Sequence, residues 1–143
     1  MPYRYLEETA IADIAFEASG KTLEELFQSA ADAVTNVMVE DLKTIHLTES
    51  RSFQEQNSQL DLLLFDFLQE LIFYKDSEQL LLRAPELSIE KSEGNYKLSA
   101  TLKGEFLNPQ KHEQRVDVKA VTLHQFFVEE TSNGWLAHVI LDI

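Results

Sequence analysis

Residues 22–38 read "TLEELFQSAADAVTNVM". Leu23, Leu26, Phe27, Ala30, Ala31, Val34, Val37 and Met38 recur at helical spacing, so one face of a helix is apolar and fit for burial. Thr22 and Glu25 form a capping-box pattern, in which each side chain satisfies a backbone N–H left open at a helix start. Gly20 marks the turn in front of it. Upstream of that glycine the period changes. "IADIAFEA" (11–18) alternates and reads as a strand.

The pattern continues outward from there. Residues 58–76, "SQLDLLLFDFLQELIFYKD", predict a second helix with Leu60, Leu63, Leu64, Phe67, Leu68 and Leu71 as its stripe. Ser58 and Asp61 suggest its cap. Leu62, Phe65 and Ile72 widen the apolar surface, so burial on more than one side is expected. The helices are placed near 22–40 and 58–76. "KTIHLTES" (43–50) and "RSFQEQ" (51–56) read as strands between them. "LLLRAP" (80–85), "LSIEKSEGNYKLSATLKGEF" (87–106) and "VDVKAVTLHQFFVEETSNGWLAHVILDI" (116–143) read as strands after them, with hairpin turns at "SEGN" and "TSNG". This order predicts a single α+β domain over residues 1–143, its two helices packed on a largely antiparallel or mixed sheet.

The final strand raises a chemical question. In "LAHVILDI" (136–143) apolar residues fall on both faces, which marks a buried strand. A carboxylate there needs donors, a positive partner or a metal. Asp142 is such a carboxylate, one residue before the terminal carboxylate of Ile143. Asp13, inside "AIADIAF", makes the same demand. An arginine or a helix N-terminus would satisfy Asp13 alone. If the two strands are neighbours, however, three carboxylates converge, and they cannot share a low-dielectric site without a cation. Oxygen donors without cysteine select Ca²⁺, Mg²⁺ or Mn²⁺ over zinc.

Composition narrows the function. Twenty-five acidic residues face twelve basic ones, for a net charge of -13. Such a surface repels phosphate backbones and disfavours tight nucleic-acid binding. It favours a basic protein partner or a cation, although acidity also serves solubility alone. With no cysteine there is no disulfide, thiol nucleophile or thiolate metal site. No apolar run reaches membrane-spanning length, and the N-terminus lacks a signal-peptide layout, so a cytoplasmic location is expected. Four glycines argue against a phosphate-binding loop, and no nucleophile elbow is present. His46, His112, His124 and His138 show no metal-ligand spacing. "KHEQRVDVKAVTLHQF" (111–126) gathers much of the basic content. Lys119, Val121 and Leu123 alternate there with Val118, Ala120, Thr122 and His124. Lys119 or His124 could meet the carboxylates or a partner; a solvated loop leading into a strand is the simpler account.

Taken in order, "ADIAFEASGKTLEELFQSAADAV", "LLFDFLQELIFYKD", "KHE" with "VKAVTLHQF", and the terminal W-x-A-x-V-I-x-D-I resemble the archease family over nearly the whole chain. The resemblance implies a small acidic α+β protein that assists the RtcB-type RNA ligase of tRNA splicing. Such a protein promotes transfer of GMP to the ligase's active-site histidine, permits multiple turnover, and is not itself a catalyst. It further implies a divalent metal held by Asp13, Asp142 and the Ile143 carboxylate, the three groups already singled out. Lys119, His124, His112 and Glu8 are the candidates for supporting the site or meeting the partner. One departure stands out. "ETAIAD" occupies the place of the family's E-H-T-A-D, so Ala10, or Glu8 in an alignment with two extra residues, stands where the family has a histidine. Two rival readings are a hydrolase, in which Asp13, Asp142 and a metal activate water with Lys119 or His124 as acid or base, and a plain acidic interaction domain with Asp13 paired to a basic side chain.

Overall fold

The computed structural model describes residues 2–6 and 13–143. The described elements are β1 (Tyr3–Tyr5), β2 (Asp13–Gly20), α1 (Leu23–Met38), β3 (Glu49–Asn57), α2 (Leu60–Glu78), β4 (Leu80–Ser92), β5 (Asn95–Phe106), β6 (Ala120–Thr131) and β7 (Gly134–Asp142). The change of period at Gly20 is where β2 gives way to α1. The capping box forms as expected: Thr22 Oγ1 accepts from Glu25 N–H at 3.1 Å, and Glu25 Oε2 accepts from Lys21 N–H at 2.7 Å.

The fold is α+β, with two antiparallel sheets where one was expected. The first sheet runs β1-β2-β7-β6 and the second β3-β5-β4. The reason lies in α1. Ten of its sixteen residues are buried, including Ser29, Ala33 and Thr35, which lie off the stripe read from sequence. The helix therefore packs against β2 and β7 on one side and β4 on the other. Its alanines let both sheets approach. Thr35 donates its hydroxyl to the Leu82 carbonyl at 2.9 Å, so its burial leaves no open polar group. Helix α2 is buried on more than one side, as expected, against β6, β4 and β3. Phe67 sits at the centre, 5.6 Å from Phe27 and 6.2 Å from Phe53 by ring centroids.

Local chemistry overrode the sequence reading at four places. "KTIHLTES" opens as a short 3₁₀ turn (Leu42–Thr44), because Asp41 accepts from Lys43 N–H at 3.0 Å and closes the backbone on itself. The cap assigned to Ser58 and Asp61 is replaced by Gln59, which makes no side-chain cap bond; Asp61 accepts instead from Leu62 N–H. The strands expected at "LLLRAP" (80–85) and from Leu87 onward are one strand, β4, with a register shift between Arg83 and Glu86 that accommodates Pro85. It turns into β5 through Glu93 and Gly94, both at positive φ (51° and 80°), as a type I′ hairpin requires.

The fourth place is β6. It starts at Ala120 rather than 116, and its alternation ends at Thr122. Thr122 pairs with Ile140 and Phe127 with His138, so β6 spends five residues where β7 spends two. The surplus bulges outward around Gln125, at φ 52°. Leu123, expected on the face of Val121, is 58% exposed as a result.

Candidate functional site

Strand register decides what Asp13 and Asp142 see. β2 and β7 are antiparallel, with Asp13 opposite Asp142 and Ala15 opposite Ile140. On the other side of β7, Ala120 lies opposite Asp142 and Thr122 opposite Ile140. Side chains alternate between faces. One face therefore carries the row Asp13, Asp142, Ala120 and then the row Ala15, Ile140, Thr122. The reverse face, with Phe16, Val121, Val139 and Leu141, is core. Residues directly opposite in an antiparallel pair hold their Cβ atoms about 5 Å apart, and like charges so placed repel. Both aspartates are half-buried. Among the described residues, no ion pair and no side-chain hydrogen bond reaches either carboxylate. The basic partner that a plain interaction domain would place beside Asp13 is thus missing from that set.

The donor chemistry at this end is all oxygen. Among the described residues no three His, Cys, Asp or Glu side chains cluster at metal-ligating distance. A cation here would need the Ile143 carboxylate as well as the two aspartates. The neighbours of the pair on this face include the small side chains Ala15 and Ala120. One further oxygen shares the face: Thr122 Oγ1 is buried and has no hydrogen-bond partner among the described residues. Carboxylate oxygens without a basic partner among the described residues suit a hard divalent ion.

Lys119 is placed next to this row by its backbone. Its N–H donates to the Asp142 carbonyl at 2.8 Å, while its side chain is exposed. Helix α2 holds the same segment from the other side. Gln69 Oε1 accepts from Val121 N–H at 2.7 Å, which satisfies an open donor on the edge of the sheet. Lys75 donates to the Val118 carbonyl at 2.9 Å and pairs with Asp117. Burial works against the Lys75 charge, but its bonds to Asp117 and Asp76 raise its pKa on balance. His124 is exposed on the β6 bulge. Glu8 and Ala10 lie outside the described residues.

His112 belongs to a different group. It is fully buried and bonded at both ring nitrogens. Nδ1 accepts from Asn108 N–H at 2.9 Å, so the proton sits on Nε2 and is donated to Glu105 Oε1 at 2.8 Å. The same oxygen accepts from His46 N–H at 2.9 Å and from the Lys111 ammonium at 2.7 Å. Burial opposes the charge on Glu105, and these three donors outweigh it, holding the carboxyl down at about 2. Lys111 and His112 of "KHE" thus anchor the 107–119 segment to β5 rather than joining the aspartates, and the Glu113 carbonyl accepts from Glu40 N–H at 2.8 Å.

Sequence reasoning passed over Thr122 and Gln69, ordinary polar residues beside apolar ones. It also passed over the clamp on His138, whose ring lies flat against Phe127 (centroids 5.5 Å apart) and whose Nδ1 donates to the Gln125 carbonyl at 2.7 Å. Only the bulge brings that carbonyl within reach. A groove of about 570 Å³, lined in part by Lys21, Glu25 and Trp135, opens at the far end of β2 from Asp13. Among the described residues no helix is long and apolar enough to cross a membrane.

The chain is similar to known proteins over nearly all of its length. The Archease protein family (MTH1598/TM1083) matches residues 3–143. The chain is 38% identical to protein archease of Thermococcus kodakarensis over 142 residues, covering 99% of this chain and 98% of that one. It is 37% identical to the Methanosarcina mazei protein archease, covering 99% and 95%. Among solved structures, Methanobacterium thermoautotrophicum protein 1598 superposes with a TM-score of 0.85 at 33% identity, covering 99% of each chain. An archease from Thermotoga maritima shares the fold with a TM-score of 0.64 at 22% identity, covering 98% of this chain and all of that one. From residue 3 to residue 143, then, this chain belongs to the archease family.

Proposed function

We propose that this protein is an accessory factor, not a catalyst, that promotes guanylylation and turnover of an RtcB-type RNA ligase. In this reading it holds a divalent cation, Ca²⁺, Mg²⁺ or Mn²⁺, with Asp13, Asp142 and the Ile143 carboxylate. The supporting observation is the register that faces Asp13 with Asp142 beside Ile143, in a chain of the archease family. Two like charges are kept opposite each other without a counter-charge among the described residues. That arrangement is unfavourable alone and favourable around a cation. When bound, the ion supplies positive charge toward an anionic group of the partner. Lys119, exposed and bonded through its backbone to Asp142, adds a second positive charge to the same end. The net charge of -13 suits docking on a basic protein surface in the cytoplasm and disfavours direct RNA binding.

Two measurements test this. Added in substoichiometric amount to the RNA ligase of the same organism, the protein is expected to speed ligase guanylylation; no stimulation would sink the ligase assignment. Calorimetry with the three cations is expected to show binding that Asp13→Asn, Asp142→Asn and a C-terminal extension each weaken. Equal binding with and without the extension would remove Ile143 from the site.

A further inference from the structure

The two sheets end in four edges, and the fold manages three of them. β1 is only three residues long, too short to template another strand. Along β4, Thr35 takes the Leu82 carbonyl, Gln28 the carbonyls of Ala84 and Pro85, and Glu24 the N–H of Ile89. Along β6, Gln69 takes the Val121 N–H. β3 is the exception. It runs for nine residues, pairs only with β5, and carries neither proline nor lysine. Among the described residues, the one side chain bonded to its backbone is local: Arg51 Nη1 donates to the neighbouring Ser50 carbonyl at 2.8 Å. A long uncovered edge of this kind is a template for a further strand.

Which strand fits is written in β3 itself. Turned about a two-fold axis at Phe53, "ESRSFQEQN" (49–57) lies antiparallel to its own copy with Arg51 opposite Glu55, Ser52 opposite Gln54 and Phe53 opposite Phe53. The basic–acidic pairing then occurs twice, once on each side of the axis. Within the single chain, no basic side chain among the described residues pairs with Glu55. Asp66 and Glu70 of α2 face it instead, and burial together with the Asp66 charge raises its pKa. Arg51 is held by Glu78 at 2.7 Å and lies over the Tyr74 ring, with guanidinium donors to spare. Phe73, one turn beyond Glu70 on the same side of α2, is 56% exposed, so an apolar side chain also stands open beside this edge.

We infer that β3 is a self-association edge: two copies of the chain join β3 to β3 about Phe53, making one continuous antiparallel sheet from two three-stranded ones. Main-chain hydrogen bonds supply the affinity, and the two Arg51–Glu55 pairs set the register. Asp13 and Asp142 lie on the other sheet, so the contact is independent of the cation reading.

The test is sedimentation of the full chain over a range of concentrations, with Glu55→Arg and the double variant Arg51→Glu/Glu55→Arg beside the parent. The parent is expected to pass from the mass of one chain to that of two as concentration rises. Glu55→Arg sets arginines opposite each other on both sides of the axis and relieves the Asp66 repulsion within the chain. It is therefore expected to fold, with a dimer dissociation constant raised by about tenfold or more. The double variant exchanges the two charges and is expected to recover most of the parental constant. Disulfide trapping reads the register, in a chain with no cysteine of its own. Ser52→Cys mixed with Gln54→Cys is expected to cross-link, and neither is expected to do so alone. A parent that keeps the mass of one chain throughout overturns the inference, also where another protein's strand takes the edge instead. So does a dimer indifferent to Glu55→Arg, a loss that the double variant does not recover, or cross-linking by either cysteine variant alone.

Discussion

Two groups of carboxylates in this molecule are treated in opposite ways. Glu105 receives three donors on one oxygen, and its carboxyl is held down at about 2. Asp13 and Asp142 face each other across two strands, and no donor among the described residues reaches either. In the first, one oxygen of Glu105 is spent within the protein and ties a loop to a strand. In the second, no acceptor is taken by a described side chain or ion-pair partner. An open pair costs stability in the free protein and can recover it only from something outside.

The largest effect that sharpens this contrast comes from removing Glu105. Glu105→Ala leaves the His112 Nε2–H buried without an acceptor and frees Lys111 and His46, at an expected cost of about 3 kcal/mol in denaturant unfolding. Cation affinity is expected to be unchanged. A shared loss of affinity would merge the two groups and break the comparison. A smaller effect follows from acid. Because the folded carboxyl of Glu105 lies below its ordinary value of 4.5, its contribution is fully present above about pH 4.5 and is lost as pH falls toward about 2. The gap in stability between the parent and Glu105→Gln should close over that window; a constant gap would show that the charge of Glu105 is not what holds the cluster.

At the aspartates the sign reverses. Asp142→Asn removes one of two opposed charges, so the cation-free protein is expected to gain about 0.5 kcal/mol, within the range for like-charged cross-strand pairs. A clear loss of stability would mean that Asp142 has a structural donor and that the pair is not open. The smallest effect belongs to an exposed pair. Arg4 bonds Glu17 at 2.6 Å on the same sheet, but the arginine side chain is 71% exposed. Arg4→Ala is expected to change unfolding stability by less than about 0.5 kcal/mol. A larger change would show that charges on this face couple more strongly than exposure allows.

The sequence carried the fold where one signal dominated. The period switch at Gly20, the capping box at Thr22 and the turn at Glu93–Gly94 each depend on residues close together in the chain, and each forms as read. The second sheet was hidden because burial of Ala33, Ser29 and Thr35 depends on what packs against them; small residues look alike on a covered or an open face. Asp13 and Asp142 stood out because a carboxylate among apolar residues needs an explanation wherever it lies. Their juxtaposition was conditional on strand pairing, which no local pattern encodes. His112 could not be assigned, since its partners come from Asn108 and from Glu105 on another strand. Thr122 gave no signal at all: a threonine in a strand is unremarkable until its hydroxyl is found without a partner.

The pairing of β2 with β7 has a consequence for the order of events in folding. It joins nearly the first and nearly the last residues of the chain, while β4–β5 and β6–β7 close as hairpins between neighbours. Local hairpins form at little entropic cost, and a closure spanning the whole chain is slow and comes after many other contacts have reduced its cost. Asp13 and Asp142 are therefore strangers in every partly folded chain whose first sheet is still open. Whatever recognises the two together recognises only molecules in which β2 has paired with β7.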